Sequence, residues 1–407
     1  MQKFIKQQTH TFFRLAFIQL VCPSYKLPMF EGIRKIHNVE LTLFIGDKNP
    51  STTSPNGDLS QISSIQVKNK IIQLFGLLWI WQDINKILHP QYYNLIILSD
   101  HVLLLSNYIV MLRCWWNKIP FGLYTHGFNY QRKEQKWAKI LEYFRAFIHR
   151  HCSVLIVYSK EGAQHLQNNN GVSPERIFIA PNTLDIESIL KRTAIITTHQ
   201  ITQCRLAMGI DLDEVVLVYI GRIEPIKNPD WVIEVVKFLQ NQQIRVHALL
   251  VGDGTQLCKL EEQISQLPLK VAKAIHLVGQ VPVEQVDLYL KLGDITIMPG
   301  MTGLAIVHSF AVGRPYITIK SPYHSPEIAY LEHGINGLIT EATLEAFCKA
   351  VMSLVLDQEK CQAMGKAALA YAKNNLSMVN QINGFKQAID FICAQQQKLK
   401  PDENFKY

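Results

Sequence analysis

The sequence predicts an α/β protein built on parallel sheets, and three observations carry that expectation. Apolar runs ending in glycine recur: Val215-Val216-Leu217-Val218-Tyr219-Ile220 before Gly221, Leu249-Leu250-Val251 before Gly252-Asp253-Gly254, and Ala274-Ile275-His276-Leu277-Val278 before Gly279-Gln280-Val281-Pro282. A fourth, Ile295-Thr296-Ile297-Met298, runs into Pro299-Gly300-Met301-Thr302-Gly303-Leu304, and a fifth strand, Tyr316-Ile317-Thr318, follows Gly313-Arg314-Pro315. Helical patterns separate these runs, so strand, turn and helix repeat at intervals of about thirty residues, the mark of βαβ units. Finally, 407 residues suffice for two domains, each with its own core.

The first half reads the same way. Strands are expected at 16–21, 39–45, 95–98, 121–124, 154–157 and 177–180. The segment 47–60 is rich in Ser, Thr, Asn, Pro and Gly, which makes it a loop. Residues 95–116 are rich in Leu, Ile and Val, but Asp100, His101, Ser106, Asn107 and Arg113 interrupt them. Charges are expensive at a membrane centre, so a strand at 95–98 and a buried helix at 102–114 fit better than a spanning helix. The expected division is 1–200 as an N-terminal domain, 201–378 as a C-terminal domain, 379–397 as a final helix and 398–407 as a flexible tail.

With 48% apolar and 18% charged residues the composition is that of a globular protein. The net charge of +8 is spread along the chain and suits anionic nucleotides or an anionic membrane surface, while the absence of a dense basic run argues against nucleic acid. Eight scattered cysteines without a C-x-x-C pair support neither zinc nor a disulfide framework and fit a reducing cytoplasm. The polar, basic residues 1–10 and the Arg14-broken run after them do not read as a signal peptide.

The most informative stretch is Gly221-Arg222-Ile223-Glu224-Pro225-Ile226-Lys227-Asn228-Pro229-Asp230. A buried strand delivers Arg222 and Lys227 into a loop at its carboxyl end, where open α/β sheets bind ligands. Arg supplies a planar fork for phosphate oxygens and Lys a point charge. An ordinary βα turn with two solvated cations would look the same in isolation, but four glycine turns at strand ends favour a nucleotide-type ligand. His126, after an apolar strand and before Gly127, is a second candidate, with a purely structural turn histidine as the alternative. Asp211-Leu212-Asp213 matches a metal-binding D-x-D, yet it precedes its strand and reads as a polar turn; no metal site is expected. No G-x-S-x-G elbow is present.

Over nearly its whole length the chain resembles retaining glycosyltransferases of the GT-B fold, above all the large family four. The specific residues run from Gly221 to Leu338, with Pro326-Glu327 and Gly334-Ile335-Asn336-Gly337-Leu338. Tyr124-Thr125-His126-Gly127, Val157-Tyr158-Ser159 and Ala180-Pro181-Asn182-Thr183-Leu184-Asp185 carry the resemblance in the first half. It implies two Rossmann-like domains whose parallel sheets face each other across a deep cleft, with the last helix returning to the first domain. It also implies transfer of a hexose from a nucleotide-diphosphate sugar to a glycan or lipid-linked acceptor, without a protein nucleophile or a metal. Arg222 and Lys227 would hold the diphosphate, and the backbone at Gly279, Gln280 and Val281 the base. Gly221, Gly252, Met301, Thr302, Gly303 and Leu304 would complete the donor site, and His126 would meet the donor sugar. Arg132 and Lys133 are candidates for an anionic acceptor.

The family's pair of glutamates eight positions apart reads Gly300 and His308 here. Neutral His308 can accept a hydrogen bond from ribose, or be a helix residue satisfied by a neighbour. Gly300 cannot replace a carboxylate, although the loop 300–304 offers N–H groups at a helix start. A nucleotide-sugar epimerase of similar fold and a non-catalytic nucleotide-sugar-binding protein are the alternatives. The expected location is the cytoplasm, either free or peripheral at the inner membrane face. There Arg113-Cys114-Trp115-Trp116-Asn117-Lys118 is an aromatic, basic patch that fits a lipid interface or a partly buried helix end.

Overall fold

The computed structural model describes residues 12–48, 56–74, 77–84, 88–127 and 136–398. Arg132, Lys133, the N-terminal residues 1–10, the centre of the 47–60 loop and the tail after Lys398 therefore lie outside the described residues.

The chain forms two compact units. Of the described residues, one comprises those up to 127, 136–181 and 378–398, the other 182–377. Strands of the first unit are β1 (Phe13–Gln19), β2 (Val39–Gly46), β3 (Ser64–Val67), β4 (Asn69–Leu74), β5 (Leu77–Gln82), β6 (Leu95–Ser99), β7 (Phe121–Thr125), β8 (Val154–Val157) and β9 (Ile177–Ile179). Seven of them make a parallel sheet in the order β3-β2-β1-β6-β7-β8-β9, while β4 and β5 pair as a separate antiparallel hairpin.

Alternation through this sheet explains its apolar strands. Leu15, Phe17, Leu43 and Ile97 pack into the core on one face, where the helix Met378–Lys398 adds Phe385, Ile389 and Ile392. Ala16, Ile18, Phe44 and Ile96 pack into the core on the other, with Val110 and Cys114. A parallel sheet covered on both faces needs such continuous runs. The second unit contains β10 (Val215–Ile220), β11 (Val246–Val251), β12 (Ile275–Gly279), β13 (Ile295–Met298), β14 (Tyr316–Ile319) and β15 (Gly337–Thr340). They form a parallel sheet in the order β12-β11-β10-β13-β14-β15 over one large core.

Three expectations need correction. The first strand starts at Phe13 rather than 16, because Arg14 lies at the solvent end of the sheet and pairs with Glu40 there. The four-residue strands β3 and β15 and the hairpin β4–β5 were not anticipated; β5 carries an apolar run, but it lies in a separate two-stranded hairpin rather than in the main sheet. The expected buried helix is Leu105–Trp116, and only one side of it is buried: Ser106, Asn107, Val110 and Cys114 face inward, whereas Leu112, Trp115 and Trp116 are exposed.

Candidate functional site

In the second unit the carboxyl ends of β10, β11, β12 and β13 meet through backbone. Gly221 N–H donates to the Val251 carbonyl at 2.9 Å, Gly252 N–H to the Gly279 carbonyl at 2.8 Å, and Met301 N–H to the Ile226 carbonyl at 2.9 Å. Pro225–Lys227 forms a single 3₁₀ turn, closed by Asn228 in the left-handed region, whose side-chain amide donates to the Pro299 carbonyl at 2.9 Å. This turn folds Lys227 back under the end of β10. Gly221 has φ +132°, a conformation that favours glycine, and a Cβ there would sit 2.8 Å from Lys227 Nζ.

Lys227 Nζ has no hydrogen bond or ion pair among the described residues. Loss of hydration and then the charge of Arg222 push its pKa down to about 8, with Glu224 opposing. Arg222 is more open, its side chain 62% exposed, and Nη2 donates to Glu224 at 2.9 Å. Glu224 also accepts from Thr255 Oγ1 at 2.7 Å. Two cations thus meet one carboxylate, which Arg222 and Thr255 already occupy. An anion is the ligand this arrangement lacks.

The loop 300–304 differs from expectation. The N–H groups of Met301 and Thr302 cannot serve a ligand, because Met301 N–H bonds Ile226 and Thr302 N–H donates to His324 Nδ1 at 3.2 Å. His324 Nε2–H is held by the Ile319 carbonyl at 2.7 Å, and Thr302 Oγ1 pairs with Tyr316 OH at 2.5 Å. Gly303 and Leu304 N–H keep no protein partner among the described residues. Gln280 is exposed and Val281 half-buried beyond Gly279, before the helix Val283–Leu292.

Gly300 is a packing position. A Cβ there would lie 2.5 Å from the Lys227 backbone, so this backbone has no room for a larger residue. His308 is buried in the helix Ala305–Val312, and Nε2–H donates to Asp287 Oδ1 at 2.5 Å. Arg192 Nε donates to the other oxygen of Asp287 at 2.5 Å. In a neutral ring this leaves Nδ1 as the acceptor. Asp211 and Asp213 are both engaged by Arg245.

His126 sits in the first unit, at the end of β7, its ring 4.7 Å from that of Tyr158. The residue is exposed at the strand end, while the protein around its ring, with the cation of Arg145 adding, pushes its pKa down. Beneath it lies a cluster that the sequence reading missed. Asp100 Oδ2 accepts from Thr125 Oγ1 at 2.5 Å, from Arg145 Nη2 at 2.6 Å and from His149 Nε2 at 3.1 Å. Asn170 holds His149 Nδ1 at 2.9 Å, and Thr125 Oγ1 in turn accepts from Gly127 N–H at 3.0 Å. Burial opposes ionisation of Asp100, yet Arg145 and His149 more than offset it and hold the carboxyl well below the usual range. The cluster thereby pins the two residues flanking His126. The sequence signal was Arg145 and His149 one helical turn apart on the helix Lys136–His151, facing inward.

His308→Ala removes one of two partners of a buried carboxylate. Stability should fall by about 1–3 kcal/mol, read as a lower denaturation midpoint with an unchanged slope. Wild-type stability would exclude a structural role for the His308–Asp287 pair.

Comparison with known proteins identifies the family. The family model "Glycosyl transferases group 1" matches residues 202–370 and "Glycosyltransferase Family 4" matches 20–188. A D-inositol 3-phosphate glycosyltransferase of Geodermatophilus obscurus is 23% identical over 222 residues, covering 52% of this chain and 47% of its own. The chain spans about half the length of the first curated relatives it matches. An Escherichia coli UDP-Gal:alpha-D-GlcNAc-diphosphoundecaprenol alpha-1,3-galactosyltransferase is 22% identical over 276 residues, covering 66% of this chain and 68% of its own. Among solved structures, Anabaena HepE in complex with UDP superposes with a TM-score of 0.68 at 16% identity, covering 93% of this chain and 99% of that one. With two parallel sheets of this order and matches over most of its length, the chain has the GT-B fold and belongs to the group 1 glycosyltransferases of family four.

Proposed function

We propose that the protein is a retaining, metal-independent hexosyltransferase. It moves a sugar from a nucleotide-diphosphate donor to a glycan or lipid-linked acceptor in surface polysaccharide or glycolipid synthesis, in the cytoplasm or at the inner face of the membrane. The observation that carries this reading is Lys227, an ammonium with no ion pair among the described residues, at the meeting point of four strand ends with Arg222 beside it. Gly221, Gly252 and Gly279 let the donor approach the backbone, and Gln280 and Val281 border the base. The free N–H groups of Gly303 and Leu304 serve the donor at the helix start. His308 accepts from the ribose through Nδ1, in place of the family's second glutamate, and Gly300 stands where the first would be. His126, at the end of β7, is assigned as a further catalytic group.

The glycosidic carbon–oxygen bond to the diphosphate breaks as the acceptor oxygen bonds the same carbon from the same face. The acceptor proton passes to the leaving phosphate. Negative charge grows on that phosphate, and cations placed in advance are strongest where charge develops. The empty carboxylate position at Gly300 favours one competing reading, a protein that binds the nucleotide sugar without turning it over. Radiolabelled nucleotide sugars separate the readings: label on acceptor, isomerised sugar, or binding alone.

Because the phosphate charge is largest in the transition state, Lys227→Ala and Arg222→Ala should each lower kcat by roughly 10²–10³-fold while folding normally. Near-wild-type turnover in either would remove these residues from the site. Arg222→Lys should also fail, because an ammonium lacks the bidentate fork.

Affinity for the donor should depend on pH through Lys227. With its pKa pushed down to about 8 in the free protein, the cation is present below that value and lost above it. Donor affinity should therefore fall as pH rises past 8, by up to about tenfold per unit, and Lys227→Arg should flatten the profile. An unchanged wild-type profile between pH 7 and 9 would contradict a lysine–diphosphate contact. Transfer should also survive EDTA, and loss on chelation with rescue by manganese would refute metal independence.

A further inference from the structure

The helices Leu105–Trp116 and Lys136–His151 lie side by side, with the Tyr108 and Phe144 rings 5.4 Å apart. Their inner sides carry Val110, Cys114, Arg145 and His149, all buried. Their outer sides carry large apolar residues in solvent: Trp115 is 76% exposed and Trp116 86%, with Leu112, Tyr143, Phe144 and Phe147 beside them. Leu112 with Trp115 and Trp116, and Tyr143 with Phe147, follow helical spacing, so each set is a stripe along its helix. Scattered exposed apolar residues need no explanation, but a contiguous set on two adjacent helices marks a surface that is covered in use.

Charge identifies what covers it. The first helix has no Asp or Glu and the second only Glu142, which lies 3.6 Å from Arg145. The same segments and their ends contribute Arg113, Lys118, Lys136, Lys139 and Arg150, of which Lys118 and Arg150 are exposed. Tryptophan favours the layer between lipid headgroups and chains, and basic side chains beside it favour anionic lipid. Among the described residues no helix is long and apolar enough to cross a membrane, so the contact is with its surface.

We propose that this two-helix face docks on an anionic phospholipid bilayer. Trp115, Trp116 and Phe147 enter the headgroup layer, and Lys118 and Arg150 meet lipid phosphates. The inference deepens the proposed function by naming the surface from which a lipid-linked acceptor would be taken, and only that purpose rests on it.

The test is co-sedimentation of the full chain with vesicles of phosphatidylcholine, alone or with phosphatidylglycerol. The protein should bind the mixed vesicles, less so at high salt. Trp115→Ala with Trp116→Ala should weaken binding by on the order of tenfold or more. Lys118→Glu with Arg150→Glu should abolish the preference for anionic lipid, and both variants should keep wild-type melting and nucleotide affinity. Failure of the wild type to bind, equal binding by all variants, or a solution dimer that Trp116→Ala dissociates would overturn the proposal. Vesicle binding without sugar transfer would defeat the proposed function alone, and transfer without vesicle binding the docking surface alone.

Discussion

Lys227 is held where its ammonium has no hydrogen bond or ion pair among the described residues, and several ties in the second unit converge on the turn that carries it. Asn228 reverses the chain after it, the Asn228 amide and the Met301 N–H tie the turn to the β13 loop, and Gly300 lies against its backbone. The turn that carries this side chain is thereby fixed between the ends of β10 and β13. A partly desolvated cation costs stability, and the extensive apolar core beneath the sheet offsets that cost. Rules of local consistency are commonly broken at functional sites and made good elsewhere.

The first unit solves the opposite problem. His126 projects from a strand end into solvent, and a loop histidine there would have many orientations. Here Asp100 fixes Thr125, and Thr125 fixes the Gly127 N–H, so the residues on either side are bonded before any ligand arrives. Precision at a loop tip is thus supplied by ionised groups buried below it, as supporting shells do elsewhere.

How much of this was legible in the sequence depends on the distance over which each feature is encoded. Strands such as 215–220 and 154–157 were legible because burial on both faces imposes a short continuous apolar run. Arg222 and Lys227 were legible because a strand end and its loop are adjacent in sequence. The Asp100 cluster was not, since Arg145 and His149 lie 45 and 49 residues away and meet Asp100 only through β6, β7 and a crossing helix. Neither was the tie between His308 and Asp287, nor the capture of the Met301 and Thr302 N–H groups by Ile226 and His324. Trp115 and Trp116 were undecided for another reason. The sequence left a lipid interface and a partly buried helix end both open for them, and only helical phase places them opposite Val110 and Cys114.

Asp100 gathers its donors on one oxygen, and this constrains how the protein can change over generations. Replacing Arg145 alone leaves a buried anion short of charge, and replacing Asp100 alone strands a guanidinium beside a histidine. Each single step passes through a destabilised ancestor, whereas exchange of the whole set for apolar residues need not. Substitutions at 100, 125, 145 and 149 should consequently be strongly epistatic. Lineages would then keep the cluster entire or lose it entire, and partial versions would be rare.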